Sequence, residues 1–104
     1  MLLAASAAAD PGPPPAVQDC GEVKFGEMPL STGRMTGHHM ACREARRIVK
    51  ECGIEGHLRP GWSGKRARST FTLRRDAERR ISVVLDGAEP PKLSRCLRFR
   101  GEPD

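Results

Sequence analysis

Residues 40–52, MACREARRIVKEC, are the stretch that predicts the fold of this chain. Its apolar side chains recur at the spacing of one helix face: Ala41, Ala45, Ile48, Val49 and Cys52. Most of the remaining positions are charged, which is typical of the wet face of an amphipathic helix. Gly53 stands where a left-handed residue commonly ends a helix. The stretch therefore predicts an amphipathic helix over residues 40–52 with Gly53 as its C-cap.

Short strands are predicted on both sides of this helix. Before it, Val23 and Phe25 alternate with charged residues, the turn is expected at residues 28–33, and a second strand spans residues 34–38. After it, one strand is expected over residues 66–74, because Phe71 and Leu73 alternate with polar side chains. Its hairpin partner is residues 81–85, beyond a polar turn at 76–78. The order predicts an α+β fold, with one amphipathic helix packed on a small antiparallel sheet.

Four cysteines suggest that disulfides staple this small domain: Cys20, Cys42, Cys52 and Cys96. Cys42 and Cys52 would lie about 15 Å apart along the helix, whereas bridged Cα atoms lie about 4.4–6.8 Å apart. A bond between these two is therefore excluded. Pairing 20 with 42 and 52 with 96 remains possible, as does pairing 20 with 52 and 42 with 96. Antiparallel pairing of the first two strands would bring Cys20 beside the start of the helix, which favours the first arrangement.

The two ends of the chain differ in composition from the middle. Residues 1–19 resemble a truncated secretory signal, with small residues at 7–9 and a following Pro-rich linker. Residues 20–98 form the single predicted domain, and residues 99–104 are expected to be a flexible tail. No apolar run approaches the roughly 20 residues of a transmembrane helix. The protein is therefore expected to be secreted or associated with the cell envelope. The alternative is a flexible N-terminus on a cytosolic protein.

Several short motifs together resemble a known group of proteins. Cys20-Gly21 opens a strand, Cys42-x-x-Ala-Arg lies in the helix, Gly61-Trp62 follows, and Cys96 closes the domain. This layout is similar to a group of small exported domains of unknown function common in actinobacteria. A cysteine usually stands two residues after the Trp in that group, whereas this chain has Gly64 there and Cys52 elsewhere. The resemblance implies export and this fold, and it supplies no activity.

A catalytic or metal centre is not predicted. His39 with Cys42 and Cys52 with His57 have the local spacing of zinc ligands, but the two pairs would lie at opposite ends of the helix. A cysteine nucleophile is disfavoured, because an exported domain with an even number of cysteines should hold no free thiolate. No set of residues resembles an active site. We therefore expect no enzyme activity, no cofactor and no metal.

Charge is the remaining functional signal. The formal net charge is +5, and basic residues crowd the hairpin that follows Trp62. Arg66, Arg68 and Arg74 are predicted to share its solvent face and to bind an anionic polymer of the cell envelope or an acidic protein surface. Nucleic acid is disfavoured, because no aromatic side chains are interleaved with these residues. The competing interpretation is that they only solvate the surface and protect exposed strands.

The sequence therefore favours a non-enzymatic exported interaction module. A first alternative is an exported protease inhibitor, because such domains carry a hairpin similar to residues 62–66. Residues 53–60 would be its reactive loop. A second alternative is a cytosolic module that binds nucleic acid or zinc. In each case Trp62 is expected to be buried against Ile48 and Val49 as the main aromatic side chain of the core.

Overall fold

A five-stranded antiparallel sheet carries the fold. The computed structural model describes residues 14–27 and 30–99. The elements follow in the order β1 (Gln18–Glu27), β2 (Leu30–His38), α1 (Cys42–Lys50), β3 (Ser63–Ala67), β4 (Thr70–Arg74), β5 (Arg80–Gly87) and α2 (Leu93–Phe99). The strands are ordered β1-β2-β5-β4-β3 in the sheet, and all neighbours are antiparallel. The predicted α+β class is confirmed. The predicted signal-like leader, the residues 28–29 of the predicted turn and residues 100–104 of the predicted tail lie outside the described residues.

Both helices pack on the same face of the sheet. The register aligns Gly64, Leu73, Ile81 and Gly37 across four strands, so these residues share one face. Leu97 of α2 lies directly over Gly64, and Ala45 of α1 lies over Gly37. The apolar stripe of α1 is buried on this side, together with alternate residues of the strands. The fold therefore has two layers, and among the described residues no helix covers the opposite face of the sheet.

The helix does not end at Gly53, so that expectation is wrong. A π-helical turn (Glu51–Glu55) continues α1, and Gly56 is the left-handed residue, with φ of 73°. Gly53 is a glycine for a different reason, since a Cβ there would lie 2.5 Å from a ring carbon of Phe25. The side chain of Arg59 then binds the Glu51 carboxylate through two hydrogen bonds of 2.8 and 2.9 Å, which holds the loop after Gly56 against the helix.

The predicted single strand over residues 66–74 is also wrong. It is two strands, β3 and β4, joined by a tight turn at Arg68 and Ser69. The alternation of polar and apolar residues gave no sign of this turn, because Arg68 takes a φ of 59°, a backbone conformation that is uncommon outside glycine. Residues 31–33, expected in a turn, belong instead to β2. Helix α2 is an additional element that the sequence analysis did not predict.

One disulfide links helix α1 to the sheet, and another links the two helical segments to each other. The first disulfide joins Cys20 of β1 to Cys42 at the start of α1, and the second disulfide joins Cys52 of the π-helical turn to Cys96 of α2. This is the favoured pairing, and all four cysteines are used. Two disulfides are typical of proteins in an oxidising compartment. Trp62 is buried, as predicted, at 5% exposure, in the same core cluster as the apolar residues of α1.

Candidate functional site

The face of the sheet opposite the helices carries a row of basic side chains. Residues that lie directly opposite each other on antiparallel strands project to the same side. The register places His38 of β2 opposite Arg80 of β5, and Arg80 opposite Arg74 of β4. We call these three residues the basic row. The buried residue Leu73 precedes Arg74 in β4, and the buried residue Ile81 follows Arg80 in β5. Because neighbouring residues of a strand project to opposite faces, the basic row projects to the uncovered face.

The two arginines of the basic row are not neutralised by the protein itself. Within the described part of the chain, neither Arg74 nor Arg80 forms an ion pair with a carboxylate. Both residues are exposed. Like charges directly opposite each other on neighbouring strands destabilise a sheet, because the repulsion has no compensating contact. The arrangement therefore leaves a positive field that an anion could reduce.

The turn between β4 and β5 adds further positive charge beside the basic row. The carboxylate of Asp76 accepts hydrogen bonds from the backbone N–H groups of Arg79 and Glu78, at 2.8 and 2.9 Å. The N–H of Arg75 also donates to the carbonyl of Arg79 at 3.0 Å. Backbone hydrogen bonds from Arg79 and Glu78 lower the pKa of Asp76. Its negative charge thus fixes the shape of the turn, which holds Arg75 and Arg79 next to the strand arginines.

His38 responds to the same environment. Partial burial lowers its pKa, and the positive charges of Arg80 and His39 lower this pKa further. The neutral imidazole is therefore favoured at neutral pH. A bound anion would offset the charge of Arg80 and raise the pKa of His38. Anion binding at Arg80 would therefore favour protonation of His38.

A row of hydroxyl groups lies beside the basic row. The register aligns Thr36 of β2, Ser82 of β5 and Thr72 of β4, and it continues to Lys65 of β3. We call the first three residues the hydroxyl row. All three are partly exposed, and Lys65 is exposed. Hydroxyls can donate hydrogen bonds to phosphate, sulfate or carboxylate oxygens. The two rows together present charge and hydrogen-bond donors on one flat surface.

The opposite end of the same face has mixed charge. A groove of about 410 Å³ lies there, lined in part by Glu22, Arg34 and Asp86. Arg34 lies 3.9 Å from the carboxylate of Asp19, and both side chains are well exposed. Val84, 51% exposed, occupies the centre of the row that contains Arg34. The unbalanced positive charge is therefore confined to the end of the face near the β4–β5 turn.

The three arginines predicted as one binding surface do not share a face. Arg66 pairs with the buried Phe71, so it projects to the helix side, where it forms an ion pair of 2.8 Å with Glu89. The hydrogen bond from Arg66 lowers the pKa of Glu89. Arg68 lies in the β3–β4 turn, and its carbonyl accepts a hydrogen bond from Arg66 Nε. Only Arg74 projects to the uncovered face. The expectation of a common face is wrong because it assumed one continuous strand.

Sequence reasoning missed two members of the site. Arg80 is one of the basic residues of the hairpin, but nothing local to it predicts that it lies opposite Arg74. His38 ends the predicted second strand, and its position alone indicates no role. Its neighbour in the sheet is set by pairing of β2 with β5, which are separated by α1 and a complete hairpin. Pairing between such distant strands leaves no signal in the local pattern.

A second basic surface lies on the exposed side of α1. An open depression of about 620 Å³ is lined there by six charged side chains: Arg43, Arg46, Arg47, Lys50, Glu51 and Glu55. The carboxylates dilute its positive charge. Arg46 is moreover engaged with β1, because it donates to the carbonyls of Cys20 and Glu22 at 2.7 and 2.6 Å. This surface is the weaker candidate for an anion.

The other constellations are accounted for by the fold. Cys42 and Cys52, weighed as zinc ligands, belong to different disulfides. In the part of the chain that the structure describes, no group of three or more His, Cys, Asp or Glu side chains could hold a metal ion. The segment considered as an inhibitory loop begins inside the π-helical turn, and Gly53 and Gly56 within it are buried. It is therefore not extended at its start, as binding to a protease would require.

Comparison of the chain with protein-family models, with curated proteins and with solved structures finds no match. The chemistry of the site itself is therefore what indicates a function. Over the described residues, no helix combines the length and apolar character needed to cross a membrane.

Proposed function

We propose that this protein is an exported, non-enzymatic binding module that holds an anionic polymer of the cell envelope on the uncovered face of its sheet. The observation that carries the proposal is the cross-strand pair Arg74 and Arg80, which has no carboxylate partner among the described residues. The two disulfides support the exported location, because such bonds persist in oxidising compartments.

A linear polyanion fits this face better than a small anion does. The basic row crosses three neighbouring strands, and strands lie about 4.8 Å apart, so its three side chains span roughly 10 Å, with the two arginine charges on adjacent strands at one end. The hydroxyl row runs parallel to it and ends at Lys65. A phosphodiester or sulfated chain would lie across the strands. The guanidinium groups would bind its charged oxygens, and the hydroxyl groups would donate hydrogen bonds to its remaining oxygens. The described open face has no aromatic side chain on which nucleobases could stack.

The experiment compares two double variants that lose the same charge. R74Q/R80Q removes the arginines of the basic row, whereas the control R43Q/K50Q removes two exposed charges from α1. Affinity for heparin and for poly(glycerol phosphate) is measured as a function of salt concentration. Each lost contact should lower the slope of log affinity against log salt by about one, so R74Q/R80Q should lose about two.

The control variant should keep the slope of the unmodified protein. Equal losses in the two variants would mean that binding follows net charge alone, and the proposal would fail. Exposed charges contribute little to folding. Relief of the repulsion between Arg74 and Arg80 should even leave R74Q/R80Q slightly more stable, so a loss of binding cannot be attributed to unfolding.

A further inference from the structure

The two edge strands of the sheet are treated differently. The edge of β1 is occupied by side chains of the chain itself. Arg46 binds the carbonyls of Cys20 and Glu22, and the N–H of Gly21 donates to the carboxylate of Asp19 at 2.9 Å. Such contacts prevent another strand from pairing with an exposed edge. The edge of β1 is therefore closed over residues 20–22.

The edge of β3 has open backbone groups. Its hairpin turn contains only two residues, so the flanking pair Ala67 and Thr70 is hydrogen-bonded across the strands. Hydrogen-bonded and non-hydrogen-bonded pairs alternate along an antiparallel ladder, so Lys65 also bonds to β4. Gly64 and Arg66 then direct their N–H and carbonyl groups away from the sheet. Within the described chain, no turn, loop or side-chain hydrogen bond reaches these four backbone groups.

The charge of β3 indicates what could pair with this edge. Lys65 and Arg66 are its charged residues, and both are exposed. Pairing of β3 with a second copy of itself would bring these cations against each other, which is unfavourable. An acidic strand would instead gain an ion pair with Lys65, since Arg66 is already paired with Glu89 on the helix side. A short basic edge repels its own copy but attracts an acidic segment.

We propose that the β3 edge binds an extended acidic peptide segment by strand addition. The backbone groups of Gly64 and Arg66 would pair with the peptide, and a glutamate or aspartate opposite Lys65 would lie on the uncovered face beside it. Backbone bonds supply affinity in this mode of recognition, and alternate side chains supply specificity. This site is separate from the basic row, and its ligand is a protein segment rather than an envelope polymer.

The test uses a short peptide that alternates glutamate with valine and is blocked at both ends. In an antiparallel arrangement, glutamates facing Lys65 put the valine backbone groups against Gly64 and Arg66. A version N-methylated on the valine nitrogens lacks the required donors, and a version N-methylated on the glutamate nitrogens keeps them. Both versions carry the same charge. The valine-methylated peptide should bind at least about fivefold more weakly than the other, since more than one hydrogen bond is lost.

Two variants test the protein side. R66P removes the outward N–H of β3 and is compatible with an edge strand, because no bond to β4 is lost. R66Q removes the same charge and the ion pair with Glu89 but keeps the N–H. Peptide affinity should fall at least about fivefold between R66Q and R66P. Addition of peptide should slow amide exchange at Gly64 and Arg66, and R74Q/R80Q should keep this protection.

Three results would overturn the inference. Equal affinity of the two methylated peptides would show that only side-chain charge is recognised. Equal affinity of R66Q and R66P would show that the N–H at this position makes no bond. Protection of Gly64 and Arg66 without peptide, together with a dimeric mass in solution, would assign the edge to a second copy of the chain. None of these results bears on binding of polyanions by the basic row.

Discussion

Substitution of Gly53 by alanine sets two physical effects against each other. Gly53 lies in the π-helical turn that continues α1, and alanine is favoured over glycine in helical backbone by about 1 kcal/mol. Against this, the added Cβ would lie 2.5 and 2.7 Å from two carbons of the Phe25 ring and 3.2 Å from Pro90. Phe25 is 1% exposed and packs at 6.4 Å from the ring of Phe71, so it has little room to move.

The steric effect should prevail. Overfilling a packed core costs roughly 1–3 kcal/mol, and the cost here should be about 2–3 kcal/mol because the Phe25 ring is held on its far side by Phe71. After the gain in helix propensity, Gly53→Ala should lower the free energy of unfolding by about 1–2 kcal/mol. For a domain of this size that corresponds to a fall in Tm of roughly 5–15 °C.

Urea denaturation followed by circular dichroism measures this change, with the m-value as a check that unfolding stays two-state. The matched experiment is the double variant Gly53→Ala with Phe25→Leu. The smaller side chain makes room for the new methyl group, so the two losses should fall short of additivity by about 1 kcal/mol. An unchanged or raised Tm for Gly53→Ala, or strict additivity in the double variant, would refute the close contact between the π-helical turn and Phe25.

Three further results are expected. Trp62→Ala should lower the free energy of unfolding by roughly 3–5 kcal/mol in the same urea assay, because this buried ring would leave a large cavity; a loss under about 1 kcal/mol would mark the ring as a surface residue. Limited reduction with dithiothreitol should open the first disulfide, one of whose cysteines is half-buried, before the second, whose cysteines are both 0% exposed; mass mapping of alkylated peptides would show the order, and the reverse order would contradict the burial. His38 has a pKa below its ordinary value of about 6.5 in the folded state, so its contribution to stability is present above that pH and is lost as pH falls through the folded pKa. His38→Gln should therefore lose less stability than the unmodified protein between about pH 7 and 5, and identical pH profiles would contradict this.

Local patterns in the sequence predicted much of the fold. The apolar spacing around Ala45, Ile48 and Val49 is a strong helical signal, and all three residues are buried as that signal requires. Helix length excluded one disulfide pairing, and strand pairing favoured the one observed. Both inferences rest on geometry that follows directly from residue spacing, which explains their success.

Other features of the fold depend on contacts between residues that are distant in the sequence, which a local pattern does not contain. The reason that residue 53 is glycine is its close approach to Phe25, a contact between distant residues, and not the end of the helix. The β3–β4 turn depends on Arg68 adopting a positive φ without a glycine to mark it. Helix α2 could have been predicted, because Leu93, Cys96 and Leu97 have helical spacing. The basic row could not, because the pairing of β2 with β5 brings its members together only in the folded chain.

We propose that polyanions bind the basic row on the uncovered face of the sheet. The most direct test is a titration of isotope-labelled protein with poly(glycerol phosphate), followed by NMR through the backbone amides and the arginine side chains. The largest shifts should cluster at His38, Arg74 and Arg80 and fade as salt is added. Shifts centred on α1, from Arg43 to Lys50, or spread evenly over all basic residues, would contradict it.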